Sequence, residues 1–154
     1  EFRPTDVGLV IAATVEEYRS RAESHGVRLV VNMPPDLPMI LGDANSLQRA
    51  LSALIDNAIK FSPGGGVVCI EAGPHQKQLF IRVEDQGVGI PPEALPHIFD
   101  RFFHLDDVGG YLFRGVGLGL PIAKQVIDQH GGAIVVKSSL GKGSLFTVRL
   151  KTSP

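Results

Sequence analysis

Two long stretches of the chain carry apolar or aromatic residues at helical spacing. In the first, such residues recur every three or four positions from Val7 to His25, which predicts an amphipathic helix ended by Gly26. In the second, Asp43 is a natural N-cap, and the helix is predicted to run to about Phe61, where Ser62-Pro63-Gly64 stops it. The predicted buried stripes are Ile11, Val15, Tyr18, Ala22 and His25 in the first helix, and Leu47, Leu51, Leu54, Ala58 and Phe61 in the second.

Shorter stretches predict strands. In one of them, three apolar side chains share a face while Arg82 and Glu84 take the other, as expected for a half-buried strand. Turns are predicted around Gly73-Pro74 and at Leu140–Gly143. The predicted strands are Arg28–Asn32, Met39–Leu41, Val67–Ala72, Gln78–Asp85, Ala133–Ser138 and Ser144–Leu150.

Helices and a long loop occupy the rest of the second half. A short helix is predicted near Pro92–Phe99, followed by a loop over residues 100–116. A helix from about Gly117 to His130 is closed by Gly131-Gly132. Strands mixed with a few helices indicate one sheet covered on one face, an α/β sandwich. The length of 154 residues suits a single domain over the whole chain.

Composition narrows the choice of partners and compartment. A formal charge of -1 gives no electrostatic reason to expect nucleic acid or an anionic membrane as partner. Cys69 lies in an apolar run and is predicted to be a buried, inert thiol, which fits a reducing compartment. No apolar run approaches the ~20 residues of a membrane span. Glu1–Pro4 reads like the interior of a longer protein. We expect this chain to be a cytoplasmic domain, and its parent protein is a candidate for anchoring in a membrane.

The first candidate site residue is Asp85, which ends a predicted strand and opens the segment Asp85–Ile90. It continues the inward row of that strand, so its carboxylate is predicted on the buried side. A buried carboxylate needs a hydrogen-bond donor, and an exocyclic amine on a heterocycle would supply one. Gly87 and Gly89 would let the backbone approach a flat ring closely. The alternative is a strand-ending aspartate that caps a glycine turn.

Asn57 and Lys60 are the second candidate pair. With position 53 they form a stripe beside the apolar face of the second helix. An amide oxygen suits a hard cation such as Mg²⁺, and an ammonium group nearby suits a phosphate. The alternative is a pair of solvent-facing polar side chains near a helix end.

The third candidate is a run of alternating glycines that leads into a helix. Gly115, Gly117 and Gly119 leave backbone amides uncovered at the predicted helix N-terminus, which favours an anion site. Pro121 is tolerated there because the first turn needs no intrahelical amide bond. The pattern is neither a dinucleotide fingerprint nor a Walker loop, and the alternative is an ordinary loop. A fourth segment, Gly141–Ser144, reads by itself as a plain hairpin turn.

Taken together and in this order, these segments resemble the sequence boxes of the catalytic ATP-binding domain of sensor histidine kinases. The resemblance covers nearly the whole chain. It implies the Bergerat fold of gyrase, heat-shock chaperone and mismatch-repair ATPases: a two-layer sandwich with a mixed five-stranded sheet covered on one face by about three helices. The matching segments are Asn57–Ser62 (asparagine box), Asp85–Ile90 (first glycine box), Ile98–Phe103 (phenylalanine box), Gly115–Leu120 (second glycine box), and Gly141–Ser144 with Phe146 (last box).

The resemblance also implies roles in binding Mg-ATP. Asp85 would accept from the adenine amino group, and Asn57 would hold Mg²⁺ bridging the phosphates. Lys60 would lie on the phosphates, residues 101–116 would form the ATP lid, and the amides of the second glycine box would meet the phosphates. The implied ATP-binding residues are Asn57, Lys60, Phe61, Asp85, Gly87, Gly89, Ile90, Arg101, Phe102, His104, Arg114, Gly115, Val116, Gly117, Leu118, Gly119 and Leu120.

Two positions depart from the family pattern. Ala53 stands where many histidine kinases have a second asparagine and where the hydrolysing relatives have a glutamate that serves as general base for water. An ATPase of the gyrase or chaperone type is therefore disfavoured, and the Mg²⁺ shell is one protein group poorer. His104 stands where an arginine commonly reaches a phosphate. Arg101, Arg114 or a protonated His104 are the alternatives for that role.

The phospho-acceptor is expected outside this chain, because none of its five histidines lies in the helical His-Glu/Asp-x-x-x-Pro context of the family. The resemblance implies a domain that supplies the phosphoryl group to a histidine on an adjacent dimerisation domain, from which it passes to a response regulator receiver domain. We expect a monomeric fragment of a homodimeric protein. The alternatives are a Bergerat-fold ATPase or serine kinase, or a degenerate interaction module without nucleotide.

Overall fold

Seven strands, three α-helices and one 3-10 turn make up the described part of the computed structural model, residues 1–100 and 119–153. All but one of the elements predicted from the sequence correspond to an element of the same type; the exception is the short helix near residues 92–99. In chain order the elements are β1 Arg3–Thr5, α1 Val7–Ser24, β2 Val27–Asn32, β3 Ile40–Gly42, α2 Ala44–Lys60, β4 Gly66–His75, β5 Gln78–Asp85, the 3-10 turn Leu95–His97, α3 Leu120–Gln129, β6 Ala133–Ser139 and β7 Gly143–Lys151.

The first two helices begin next to aspartates, Asp6 and Asp43, whose side chains cap them. The Asp43 carboxylate accepts from the amide of Ser46 at 2.9 Å and from its hydroxyl at 2.6 Å, and these bonds hold the pKa of Asp43 below its ordinary value. All five residues of the predicted stripe on α2 are buried. On α1 the predicted stripe is wrong at His25, which is exposed because the helix has already ended at Ser24. No helix within the described ranges is long and apolar enough to span a membrane.

The main sheet has five strands in the order β2-β4-β5-β7-β6. The pair β2–β4 is parallel and the other three pairs are antiparallel, so the sheet is mixed, and the predicted two-layer α/β sandwich is confirmed. A separate antiparallel pair joins β1 to β3, with Thr5 opposite Ile40. The sequence did not predict β1, because three residues carry no periodicity and this strand depends on its pairing with β3.

The two faces of the main sheet differ sharply in composition. The face toward the helices carries buried apolar residues from every strand, and the other face is open to solvent. Cys69 lies on the open face and is half-buried, which corrects the predicted burial of its thiol; partial desolvation raises its pKa. The covered-face residues include Leu29, Val68, Ile70, Leu79, Ile81, Val83, Ile134, Phe146, Val148 and Leu150.

Two predicted features are wrong in position or extent. Strand β4 continues through Gly73-Pro74, and the hairpin turns at Gln76-Lys77, where Gln76 has a φ of 57°. Pro74 is tolerated because β2 ends opposite Glu71, which leaves this end of β4 at the edge of the sheet. The predicted helix near residues 92–99 is a series of turns around one 3-10 turn, after which Phe99 packs edge-on against Phe146, with ring centroids 6.4 Å apart.

Candidate functional site

Asp85 ends β5 with its carboxylate on the covered side of the sheet, as its alternation with Leu79, Ile81 and Val83 predicted. The residue is 3% exposed. One carboxylate oxygen, Oδ1, accepts from the amide of Gly87 at 2.9 Å, so the capping alternative is also realised. Desolvation raises the pKa of Asp85 to about 6, although hydrogen bonds from the Gly87 and Ser144 amides oppose the shift.

Gly87 and Gly89 are required by contacts within the protein. A Cβ on Gly87 would lie 1.8 Å from the carbonyl oxygen of Phe61, at the end of α2. Gly89 has a φ of +76°, and a Cβ there would lie 2.1 Å from the carbonyl oxygen of Ser139. The loop 86–90 is therefore pressed between the end of α2 and the β6–β7 turn. The approach of protein backbone is thus one reason for glycine at both positions, and their expected place beside a flat ring stays a prediction.

Backbone hydrogen bonds fasten the same loop on both sides. The amide of Val88 donates to the carbonyl of Phe61 at 2.9 Å, and its carbonyl accepts from the amide of Gly141, also at 2.9 Å. Phe61 is 1% exposed and Ile90 is fully buried. Phe61 and Ile90, which are predicted to lie beside the nucleotide, are thus buried at the two sides of the hydrogen-bonded loop that follows Asp85.

Asn57 lies in the last turns of α2 and is fully buried, which rules out the solvent-facing alternative for it. A buried side-chain amide is costly unless its polar atoms are satisfied. The side-chain oxygen of Asn57 is therefore suited to coordinate a hard cation such as Mg²⁺.

Lys60 takes part in an ion-pair cluster between the first two helices. Its Nζ lies 3.0 Å from Oδ2 of Asp56, and Oδ1 of Asp56 lies 2.8 Å from Nη1 of Arg21 in the last turn of α1. The Lys60 side chain is 27% exposed, so its ammonium group keeps contact with solvent at the end of α2. The cluster clamps α1 to α2 and gives Lys60 a defined direction.

The start of α3 meets the middle of α2. Gly119 is the N-cap with a φ of +60°, and a Cβ there would lie 3.6 Å from Cβ of Ala53. Pro121 follows in the first turn, as predicted, and Leu120 is fully buried. Since Ala53 precedes Asn57 by one turn, the N-terminal end of α3 and Asn57 belong to one region of the structure.

Several predicted ATP-binding residues lie outside the described part of the chain. The phosphate contact that an arginine commonly makes at position 104 therefore stays a prediction, with Arg101, Arg114 and a protonated His104 as alternatives. The predicted ATP-binding residues outside the described part are Arg101, Phe102, His104, Arg114, Gly115, Val116, Gly117 and Leu118.

Ser138 and Ser144 border the site. The sequence analysis named Ser138 only as the end of a predicted strand, and among the candidate segments it included Ser144 only as the end of Gly141–Ser144. They lie opposite each other in the β6–β7 pair, with their hydroxyl oxygens 2.8 Å apart. Ser138 Oγ also accepts from the amide of Ile90 at 2.8 Å. Ser144 pairs with Asp85 across β5 and β7. The available signal was the position of both serines on either side of a glycine turn.

The donor set fits a magnesium nucleotide. A buried carboxylate offers an acceptor for an exocyclic amine, a buried amide offers an oxygen to Mg²⁺, and a glycine-capped helix offers amides to phosphate. The loop 86–90 joins Asp85 to Phe61 at the end of α2, while Gly119 lies against Ala53, one turn before Asn57 on α2. The described parts of the predicted site thus converge on α2 from two sides.

Known proteins resemble the chain in both sequence and structure. The circadian input-output histidine kinase CikA of Thermosynechococcus vestitus is 39% identical over 141 residues, which cover 90% of this chain and 19% of CikA. The mycobacterial sensor histidine kinase MprB superposes with a TM-score of 0.83 at 32% identity, covering 100% of this chain and 99% of that one. Full-length ShkA in complex with AMPPNP gives a TM-score of 0.84 at 29% identity, covering 99% of this chain and 32% of ShkA.

CikA and MprB are histidine kinases. The chain spans only 19% to 31% of the length of the first curated relatives it matches. A family model matches residues 42–154, from the end of β3 through α2, the loop 86–90 and β7. The chain belongs to the family of histidine kinase-, DNA gyrase B- and HSP90-like ATPases.

Proposed function

We propose that this chain binds Mg-ATP and supplies the phosphoryl group for phosphorylation of a histidine on an adjacent dimerisation domain. The observation that carries the proposal is the burial of an acceptor, Asp85, at the end of β5, together with the burial of the Asn57 side-chain amide on α2. Similarity to ShkA, whose structure was solved with AMPPNP, supports a nucleotide ligand.

Each described residue has a role that matches its environment. Asp85 accepts a hydrogen bond from the adenine amino group, and Ile90 with Gly89 borders the ring. Asn57 holds Mg²⁺, and Lys60 approaches the phosphates from the end of α2. The remaining proposed phosphate contacts are Arg101, Phe102, His104, Arg114, and the second glycine box, Gly115–Leu120.

Phosphoryl transfer requires positioning and charge neutralisation more than covalent chemistry from the protein. When bound, Mg-ATP supplies the phosphoryl group and a divalent charge that neutralises the phosphates. The chain's own residues hold the base, the metal and the phosphates in register. Ala53 presents only a methyl group one turn before Asn57, beside Gly119, so this position offers no base to activate water. That favours transfer to a histidine over hydrolysis.

The proposed partners are supported by the similarity to histidine kinases. A dimerisation domain carries the accepting histidine, and a response regulator receiver domain takes the phosphate from it, within a homodimeric protein of a two-component system. We place this ATP-binding domain in the cytoplasm. The domain that carries the accepting histidine is proposed to lie elsewhere in the same protein.

Calorimetric titration with ADP in the presence of Mg²⁺ tests the proposal. We expect binding by the wild type and a loss of roughly tenfold or more in affinity for Asp85→Asn, since a hydrogen bond to a charged group contributes about 1.5–3 kcal/mol. Glu84→Gln is the matched control, because it removes the neighbouring carboxylate from the open face of the same strand. Its affinity should equal that of the wild type.

Three results would contradict parts of the proposal. Absence of wild-type binding at millimolar ADP would refute nucleotide binding by this chain. Equal affinity of Asp85→Asn and wild type would refute the placement of adenine at Asp85. Failure to label a purified dimerisation domain from radiolabelled ATP, with nucleotide bound, would favour an interaction module.

A further inference from the structure

Ser138 joins the loop 86–90 to the β6–β7 hairpin. It lies on β6 and is half-buried. Its Oγ accepts from the amide of Ile90 at 2.8 Å, donates to the carbonyl of Gly143 at 3.0 Å, and lies 2.8 Å from Oγ of Ser144. A hydroxyl has one donor and two acceptor positions. With Ser144 as donor to Ser138, all three are used, so the hydroxyl is fixed in one orientation.

The hydrogen bond from the Ile90 amide to Ser138 holds Ile90 at the end of the loop 86–90. Ile90 is fully buried and follows Gly89, whose positive φ redirects the chain. Earlier in the loop the chain is held by Asp85 at Gly87 and by Phe61 at Val88. The Ser138 hydroxyl is the attachment at the far end of the loop. Its loss would leave the Ile90 amide buried without its acceptor, which is costly.

The same hydroxyl is connected to the Asp85 carboxylate. Ser144, its neighbour across the β6–β7 pair, lies opposite Asp85 in the β5–β7 pair. The Ser144 amide is one of the two backbone donors to that carboxylate. Ser138 is therefore linked to Ile90 by one hydrogen bond and to Asp85 through Ser144. Few side chains could set the spacing between these two residues as directly.

We propose that Ser138 is a positioning residue for purine recognition: it fixes Ile90 against Asp85 so that the carboxylate meets a nucleobase bearing an exocyclic amine. The inference rests on the proposed function, because it assumes that the base lies between these residues. Ser138 itself touches neither the base nor the phosphates in this assignment. Its effect is on selectivity for adenine over a purine that has a carbonyl group in place of the amine.

Calorimetry with ADP and with inosine diphosphate tests the assignment on wild type, Ser138→Ala and Ser138→Thr. For Ser138→Ala we expect ADP affinity to fall about tenfold, the value of one hydrogen bond of about 1.4 kcal/mol. Inosine diphosphate affinity should change less than about twofold, because that ligand offers no amine to Asp85. Ser138→Thr keeps the hydroxyl and should restore most of the ratio of the two affinities. Ser139→Ala, on the exposed neighbour, is the matched control and should leave the ratio unchanged.

Amide hydrogen exchange gives a second readout that needs no ligand. Ser138→Ala should lose protection at Ile90 while Val88, held by Phe61, keeps its protection. If Ser138→Ala does not fold, Ser138→Cys replaces it, since the thiol has a similar shape but bonds weakly.

The outcomes separate the two proposals. Wild type that binds no ADP refutes the proposed function. Wild type that binds ADP, together with a Ser138→Ala variant whose affinities for both nucleotides fall equally or not at all, overturns the role of Ser138 alone. Equal binding of both nucleotides by the wild type overturns it as well.

Discussion

Two neighbouring acidic residues lie on opposite faces of the main sheet and differ in their exposure to solvent. Glu84 and Asp85 are adjacent in β5, yet Glu84 stands on the open face and is exposed, whereas Asp85 is 3% exposed beneath the helices. On the open face, Nη1 of Arg82 lies 3.1 Å from Oε1 of Glu71 in a solvent-exposed ion pair. On the covered face, the partners of the Asp85 carboxylate among the described residues are the backbone amides of Gly87 and Ser144, and burial raises its pKa to about 6.

The difference shows that a one-residue step along a strand decides whether a carboxylate is solvated or buried. Desolvation is what makes Asp85 sensitive to an added donor, because a buried acceptor gains more from a hydrogen bond than one already in water. The surroundings of the two acids differ accordingly. Glycines in close backbone contact, Gly87 and Gly143, pack around Asp85. Charged side chains such as Arg82 and Lys137 lie near Glu84. Substitutions on the covered side should therefore have much larger effects.

Packing around the loop 86–90 provides the largest expected effect. Gly89→Ala combines a positive φ with a 2.1 Å approach to the Ser139 carbonyl, and we expect a loss of roughly 4 kcal/mol in the free energy of unfolding. Gly141→Ala is the control for strain alone, since Gly141 has a φ of +78° and no atom within 4 Å. It should lose only about 1 kcal/mol. Equal losses in urea unfolding would show that the close contact is not what requires Gly89.

The second effect is the pH dependence of stability due to Asp85. Its pKa is raised from 3.8 to about 6 in the folded protein, so between these values the native state holds a proton that the unfolded state has lost. The free energy of unfolding should therefore fall as pH rises through this window, by at most about 3 kcal/mol, and level off above it.

Urea titrations of wild type and Asp85→Asn across this pH range measure the effect. The difference between the two curves isolates Asp85 from the other titrating groups. Glu84→Gln, the same change on the open face, should run parallel to the wild type. Parallel curves for wild type and Asp85→Asn would contradict the assigned desolvation of the carboxylate.

Nucleotide affinity should follow the same ionisation in the opposite direction. The ionised carboxylate is the better acceptor for the adenine amine, so ADP affinity should rise about tenfold from about pH 5 to about pH 7.5. Dividing by the affinity of Asp85→Asn removes the protonation of ADP itself. A pH-independent ratio of wild type to variant would place the base away from Asp85.

The smallest effect is expected on the open face. Arg82→Gln removes a half-exposed ion pair with Glu71 and the placement of the guanidinium 4.5 Å from the Phe80 ring centroid. Such contacts contribute less than about 1 kcal/mol. ADP affinity should be unchanged. A loss in affinity comparable to that of Asp85→Asn would mean that the open face also takes part in binding.

Much of the fold was predictable because local patterns and tertiary packing agree. The stripe on α2, the cap at Asp43 and the inward side of Asp85 all follow from spacing. The turn at Gln76-Lys77 was missed because Gly73-Pro74 is a strong turn signal by itself. Only the end of β2 at Asn32 shows why a proline fits inside β4.

Spacing and side-chain chemistry made Asn57, Lys60 and the second glycine box candidates for binding a cation and phosphate, and the resemblance assigned their roles toward Mg-ATP. Burial of Asn57 strengthens its assignment. The contact between Lys60 and Asp56 adds a partner that the spacing of four residues permits but does not require. Ser138 was overlooked because a serine in an alternating strand is ordinary until its three partners are known.

By itself, the sequence determined most of the helices and strands, which of their faces are apolar, and that a carboxylate would end β5 on the buried side. These depend on periodicity, which is local. The tertiary structure alone decided why Gly87 and Gly89 are glycines, how β1 pairs with β3, and how Ser138 connects Ile90 to Asp85. Those features depend on backbone approaches between segments far apart in the chain, whose distances no local pattern encodes.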